Sequence, residues 1–219
     1  MAAGRGMRMM PLTASIPKPM ARYKETTLIG NAITRIHHFI PNIHITVGYK
    51  KADLARHVIE QGISSIINTE GKGNSWWLFN SLMKNLDEPV LVLTCDNIVE
   101  LDYSKICLDY FELGSPADMV IPATPVDGLD GDFIFHKENK INELSREKRS
   151  DIYCSGIQVI NPKKVNMMCK PEEAFINVWN VLISNKQLYC SNIFPEKWYA
   201  VDTIEHLNSL NNLSPDFLP

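Results

Sequence analysis

Val90-Leu91-Val92-Leu93-Thr94-Cys95-Asp96-Asn97 is the stretch on which the fold class turns. Four consecutive apolar residues suit a strand buried on both faces, as in a parallel sheet. The aspartate just past them stands at the strand's carboxyl end, where open α/β sheets bind ligands. Upstream, residues 75–86 read as a helix, with Trp76, Phe79, Met83 and Leu86 at helical spacing. Residues 43–49 and 65–70 read as strands, with helices over 28–40 and 53–61, and the strand containing Asp96 spans 89–97. Such alternation predicts an α/β domain with right-handed crossovers.

Downstream, a helix over 104–113 precedes a strand over 118–126. The turn-rich stretch 127–132 then leads into Phe133-Ile134-Phe135-His136, which pairs with 141–145 as an antiparallel hairpin. A strand over 153–161 ends at Pro162. A helix over 172–184, a strand over 187–194 and a helix from Thr203 follow. No repeat or linker interrupts the pattern, so one mixed α/β domain over residues 1–210 is expected, with a loose tail over 211–219.

Composition narrows the function. The 219 residues are 45% hydrophobic and 21% charged, with a formal net charge of −3. No dense Lys/Arg stripe appears, which disfavours a nucleic-acid partner and leaves room for a small anionic substrate. No apolar run is long enough to span a bilayer, and the N-terminus lacks the apolar stretch of a secretory signal, so no membrane role is expected. The five cysteines are scattered and never form Cys-x-x-Cys. Free thiols in a reducing cytoplasm, without structural zinc, are therefore expected.

The strongest local signal is Ala2-Ala3-Gly4-Arg5-Gly6-Met7-Arg8-Met9-Met10-Pro11-Leu12-Thr13. Glycines let the backbone approach a phosphate and aim N–H groups at it. A dinucleotide fingerprint needs a third glycine where Met9 stands, and a P-loop needs Gly-Lys-Ser/Thr; neither is present. Pro17-Lys18-Pro19-Met20 follows, its prolines stiffening the backbone around one lysine. Alone, Arg8 or Lys18 reads equally as a solvated cation. As a spaced set, Gly-x-Gly-x-Arg-Met-x-Pro-Leu-Thr and Pro-Lys-Pro-Met resemble the signature loop of the sugar-1-phosphate nucleotidyltransferase family.

That resemblance implies a Rossmann-like three-layer domain with a mixed, mainly parallel sheet. It implies condensation of a nucleoside triphosphate with a sugar 1-phosphate, releasing pyrophosphate with the help of Mg²⁺. Ala2, Ala3, Gly4 and Gly6 would then bind nucleotide, Arg8 would hold the β/γ-phosphates, and Lys18 would stabilise the attacked α-phosphate. Asp96 matches the family's first metal aspartate. Lys197-Trp198-Tyr199-Ala200-Val201-Asp202-Thr203 resembles the closing motif, which makes Asp202 the second; it reads equally as a helix N-cap. Gly73-Asn74-Ser75 matches a turn that touches the base, a reading compatible with a cap by Asn74 or Ser75.

Arg146-Glu147-Lys148 and Tyr153-Cys154-Ser155-Gly156 resemble the acceptor segment, so Glu147, Lys148 and Gly156 would line the acceptor pocket. Glu147 and Lys148 read equally as a solvated charged loop. Family members carry a short apolar strand directly before the Ala-Ala-Gly loop, and this sequence begins where that strand ends. The expectation is N-terminal truncation, with an apolar extension raising stability and turnover. A cytidylyltransferase for phosphocholine or another small phospho-compound is the second reading; Trp76, Trp77, Tyr153, Trp198 and Tyr199 could cage a quaternary ammonium or simply pack in the core. A non-catalytic nucleotide-binding protein is the third. A homo-oligomer is allowed by all three.

Overall fold

Leu28–His37 is helical because Leu28, Ile29 and Ile33 share one buried face, and because the Thr27 hydroxyl accepts the Gly30 N–H at 3.1 Å as N-cap. It stops short of the expected residue 40. His44–Val47 and Ser65–Asn68 pair in parallel, from His44 opposite Ser65 to Val47 opposite Asn68, with the helix Lys51–Ile59 crossing between them. Ile29, Ile33, Ile45, Val47, Leu54 and Val58 close into one core with Ala2. Full burial of each large aliphatic contributes about 1.5–3 kcal/mol. Ala2 bridges Val47 in parallel, its N–H donating to the Thr46 carbonyl at 3.2 Å, and the Met1 carbonyl accepts the Cys95 N–H at 3.0 Å.

This is the computed structural model of residues 1–126, 128–129 and 131–213. The chain divides into two compact units. The first comprises Met1–Lys72, Thr94–Glu100 and the described residues from Tyr199 onward; the second comprises Gly73–Leu93 and Leu101–Trp198. A second core in the first unit joins Met9, Ala21, Tyr23, Leu28, Ile98 and Val201 with Leu207 and Leu210 of the closing helix Ile204–Asn212. No helix among the described residues is long and apolar enough to cross a membrane.

The second unit holds a mixed six-stranded sheet in the order Val90–Val92, Tyr153–Ile160, Asp118–Ala123, Leu188–Cys190, Lys140–Ser145, Phe133–Lys137. Tyr153–Ile160 is antiparallel to both its neighbours, while Leu188–Cys190 runs parallel to Asp118–Ala123. Asp118–Ala123 is buried throughout. The 90–92 strand, in contrast, stands at the sheet's edge in this unit; Val92 is buried, but Val90 and Leu91 are only half-buried. The expected burial on both faces thus fails here, and the strand ends well before residue 97.

Three further expectations change. The helix over 75–86 breaks into Trp76–Asn80 and a 3₁₀ turn, Leu82–Asn85, because Ser81 is extended and its hydroxyl binds the Trp77 carbonyl and the Met83 N–H. A helix at Pro162–Met168 was not foreseen, although Asn161 as N-cap and Pro162 at the first position signal it. Residues 211–213, expected to begin a loose tail, are tied down: Asn211 accepts the Lys24 N–H, and the Lys24 ammonium donates to the Asn211 and Leu213 carbonyls. Residues 214–219, and Asp127 and Asp130 of the expected turn, lie outside the described residues.

Asp118 is fully buried at the start of its strand. Its Oδ2 accepts from Trp179 Nε1 at 3.0 Å, and its Oδ1 has no partner among the described residues. Burial pushes the carboxyl well above its ordinary value, only partly offset by the Trp179 hydrogen bond. The fold therefore favours the protonated form more than the unfolded chain does. Its stabilising contribution is complete below the unfolded pKa and is lost as pH rises through the raised folded one. Asp118→Asn keeps the shape and removes the titration. We expect urea unfolding at pH 5 and pH 8 to show a smaller loss of stability on raising pH in the variant than in the native chain.

Candidate active site

The glycine-rich loop is shaped by two constraints. Gly6 adopts φ +62°, and a Cβ there would lie 2.8 Å from Lys18 Cβ. Only glycine lets the loop turn and lets Lys18 pass this close. The Gly6 carbonyl then accepts the Met9 N–H at 2.9 Å and the Thr13 hydroxyl at 3.0 Å, while Met9 anchors the turn in the core. Lys18, in a 3₁₀ turn between two prolines, is only 8% exposed.

A buried ammonium requires anionic partners, and two are present. Lys18 Nζ donates to Asp96 Oδ2 at 3.1 Å and to Asp202 Oδ1 at 3.4 Å, and Arg8 reaches the same Asp202 oxygen at 2.9 Å. Asp96 and Asp202, a hundred positions apart, are brought together by the backbone: the Val201 N–H donates to the Asp96 carbonyl at 2.8 Å. Asp202 is not the helix cap; Thr203 takes that place, its hydroxyl accepting the His206 N–H. Partial burial pushes the Asp96 carboxyl up. The Lys18 ammonium, a Thr94 hydrogen bond and a backbone hydrogen bond outweigh it and hold the group below its ordinary value.

Arg8, Lys18, Asp96 and Asp202 thus form one cluster inside the first unit. Two carboxylates that share one cation suit a hard ion such as Mg²⁺, which takes oxygen ligands and leaves positions for phosphate oxygens and water. Among the described residues no group of three or more His, Cys, Asp or Glu is placed to hold a metal alone. Asp96 and Asp202 are the two carboxylates of this cluster, and both are paired with Lys18.

The remaining candidates lie in the second unit. The Gly73 N–H donates to Glu173 Oε2 at 2.6 Å, and a Cβ on Gly73 would collide with the Glu173 carbonyl. Asn74 caps the helix Phe175–Ser184 by accepting the Phe175 N–H, and the Ser75 hydroxyl donates to the Glu172 carbonyl. This turn is fastened to residues 172–175, so Asn74 caps a helix distant in sequence rather than the one it opens. Glu147 and Lys148 are exposed; their N–H groups bind Ser145 Oγ, and Lys148 Nζ pairs with Glu143 at 2.6 Å.

Gly156, at φ +80°, sits in a bulge where the register against Pro122 and Ile121 shifts. Tyr153 and Trp77 are buried, and Trp198 packs edge-on against Tyr153 at 5.6 Å, so these two rings belong to the core rather than to a cation cage. Sequence reasoning did not single out the Arg146–Asp132 ion pair at 2.8 Å, or Glu173 beside Gly73.

The nucleotidyl transferase family model matches residues 1–128. The chain belongs to this family. The chain is 23% identical over 239 residues to a mannose-1-phosphate guanyltransferase of Debaryomyces hansenii, an alignment that covers 98% of the chain and 66% of that protein. It therefore spans about two thirds of the length of that relative. Its fold is that of the inositol-1-phosphate CTP transferase of T. maritima, with TM-score 0.78 and 17% identity over 95% of this chain and 89% of that one. The CTP:phosphocholine cytidylyltransferase of Streptococcus pneumoniae follows the same fold, with TM-score 0.73 and 18% identity over 96% and 95%. The Rossmann-like architecture expected from the loop motif is thus the observed one.

Proposed function

We propose that the chain condenses a nucleoside triphosphate with a sugar 1-phosphate, giving a nucleoside diphosphate sugar and pyrophosphate. The observation that carries this reading is the convergence of Arg8, Lys18, Asp96 and Asp202 beside the glycine loop. Family membership and the sugar-1-phosphate relative support it.

The reaction is one in-line displacement. An acceptor phosphate oxygen forms a bond to the α-phosphorus while the bond to the bridging oxygen breaks, and the electron pair leaves with pyrophosphate. Lys18 offsets charge at the attacked phosphorus, and Arg8 holds the departing phosphates. Asp96 and Asp202 would hold Mg²⁺, which supplies charge neutralisation of the triphosphate. The acceptor phosphate is already ionised, so no general base is needed. Gly4, where a Cβ would meet nothing within 4 Å, leaves the loop backbone open to the triphosphate, and Gly73, Asn74, Glu147, Lys148 and Gly156 are the residues proposed to meet the base and the acceptor.

Pyrophosphate release tests the reading. CTP, UTP, GTP, ATP and dTTP are crossed with a panel of sugar 1-phosphates plus phosphocholine, with and without Mg²⁺. Release that depends on one nucleotide, one sugar 1-phosphate and metal is the expected result. Release with phosphocholine instead would move the acceptor to the cytidylyltransferase branch, and nucleotide binding without any release would leave a non-catalytic protein.

A further inference from the structure

We infer that Tyr49 is a positioning residue for the triphosphate, acting through the glycine loop; the inference rests on that loop being the phosphate site. Tyr49 follows the strand His44–Val47 and holds the loop at both ends. Its backbone N–H donates to the Ala3 carbonyl at 3.1 Å, and its hydroxyl donates to the Thr13 carbonyl at 2.9 Å. Gly48 makes the first tie possible, because a Cβ there would stand 2.7 Å from the Ala3 oxygen.

Between those two ties the chain has only short turns, Met7–Met9 and Leu12–Ser15, with Gly6 in a left-handed conformation. A segment so built pays conformational entropy when a ligand orders it, unless other contacts order it beforehand. The Tyr49 hydroxyl does this at the C-terminal end. It fixes the Thr13 carbonyl, the Thr13 hydroxyl in turn fixes the Gly6 carbonyl at 3.0 Å, and Lys18 lies against Gly6. One phenol thereby sets the backbone that faces the phosphates and the approach of the lysine beside it. Tyr49 touches no reacting atom in this arrangement; it acts through Thr13 and Gly6.

Tyr49→Phe removes the hydroxyl and keeps the ring. Calorimetric titration with magnesium tripolyphosphate should show affinity about fivefold weaker than native, the size expected for losing one hydrogen bond that pre-orders a site. The melting temperature should stay within a few degrees. In the turnover assay the KM for nucleoside triphosphate should rise by a similar factor, with the KM for the acceptor unchanged. The Met9 and Met10 amides, which bond the Gly6 and Met7 carbonyls, should exchange hydrogen faster. Unchanged tripolyphosphate affinity overturns the inference even if exchange quickens, since that outcome is purely structural. Weakened affinity in a chain that releases no pyrophosphate with any substrate pair upholds Tyr49 and sinks the proposed reaction instead.

Discussion

Asp96→Asn is expected to lower kcat/KM by roughly a hundredfold to a thousandfold, the range seen when one preorganised electrostatic contact to a transition state is lost. The asparagine keeps the shape of the side chain and can still accept from Lys18, so the site should remain assembled. What it loses is the negative charge that the proposed divalent ion would need from this position. Lys18 keeps Asp202 as a partner at 3.4 Å, which spares the buried ammonium from standing alone. The melting temperature should therefore stay within a few degrees of native. Steady-state kinetics beside thermal unfolding checks both halves. Full activity in the variant would remove Asp96 from the metal role.

Lys18→Met should abolish turnover to a similar degree, and it carries a second, less obvious consequence. In the native chain the ammonium is paired with both carboxylates. If they are the proposed metal pair, metal binding without nucleotide would have to compete with it. Without the ammonium, Asp96 and Asp202 lose the cation they share, while Arg8, itself 65% exposed, still pairs with Asp202. Two carboxylates that met at one ammonium then repel, and a divalent cation would relieve them. Nucleotide-free Mn²⁺ affinity, followed by electron paramagnetic resonance, should rise about tenfold, while the metal-free variant should melt several degrees lower. Unchanged or weaker Mn²⁺ binding would show that the two aspartates do not form a metal pair.

The competition also bears on the order of events. Among the described residues no third metal-ligating side chain joins the two carboxylates, and a lysine is already paired with both; under the proposed reaction, a metal would arrive with the triphosphate, whose oxygens would supply the remaining ligands. Mn²⁺ titrations with and without nucleotide report on this independently of turnover.

The alternation of strands and helices was legible because it depends on short-range physics. The apolar face of Leu28–His37, the β-branched runs at 44–47 and 65–68, and the glycine and proline punctuation of the first twenty residues each act within a few positions. Arg8, Lys18, Asp96 and Asp202 were singled out because the short motifs around them, a glycine loop, a Pro-Lys-Pro turn, a strand's end and a helix's start, resemble those of the family. Errors fell where the deciding partner is distant. The helix over 75–86 broke because Ser81 could satisfy its neighbours' backbone groups, and the 90–92 strand is half-exposed because it pairs on one side only in its unit.

From the sequence alone came the fold class, the glycine-rich loop and four charged residues as candidates, because each is carried by motifs of residues adjacent in the chain. Only the tertiary structure decided that those four share one cluster, that Asn74 caps a helix a hundred residues away, and that Tyr49 fastens both ends of the loop. Hydrogen bonds and ion pairs act over about 3 Å, and which distant groups come within that reach is set by how the cores close rather than by any local pattern.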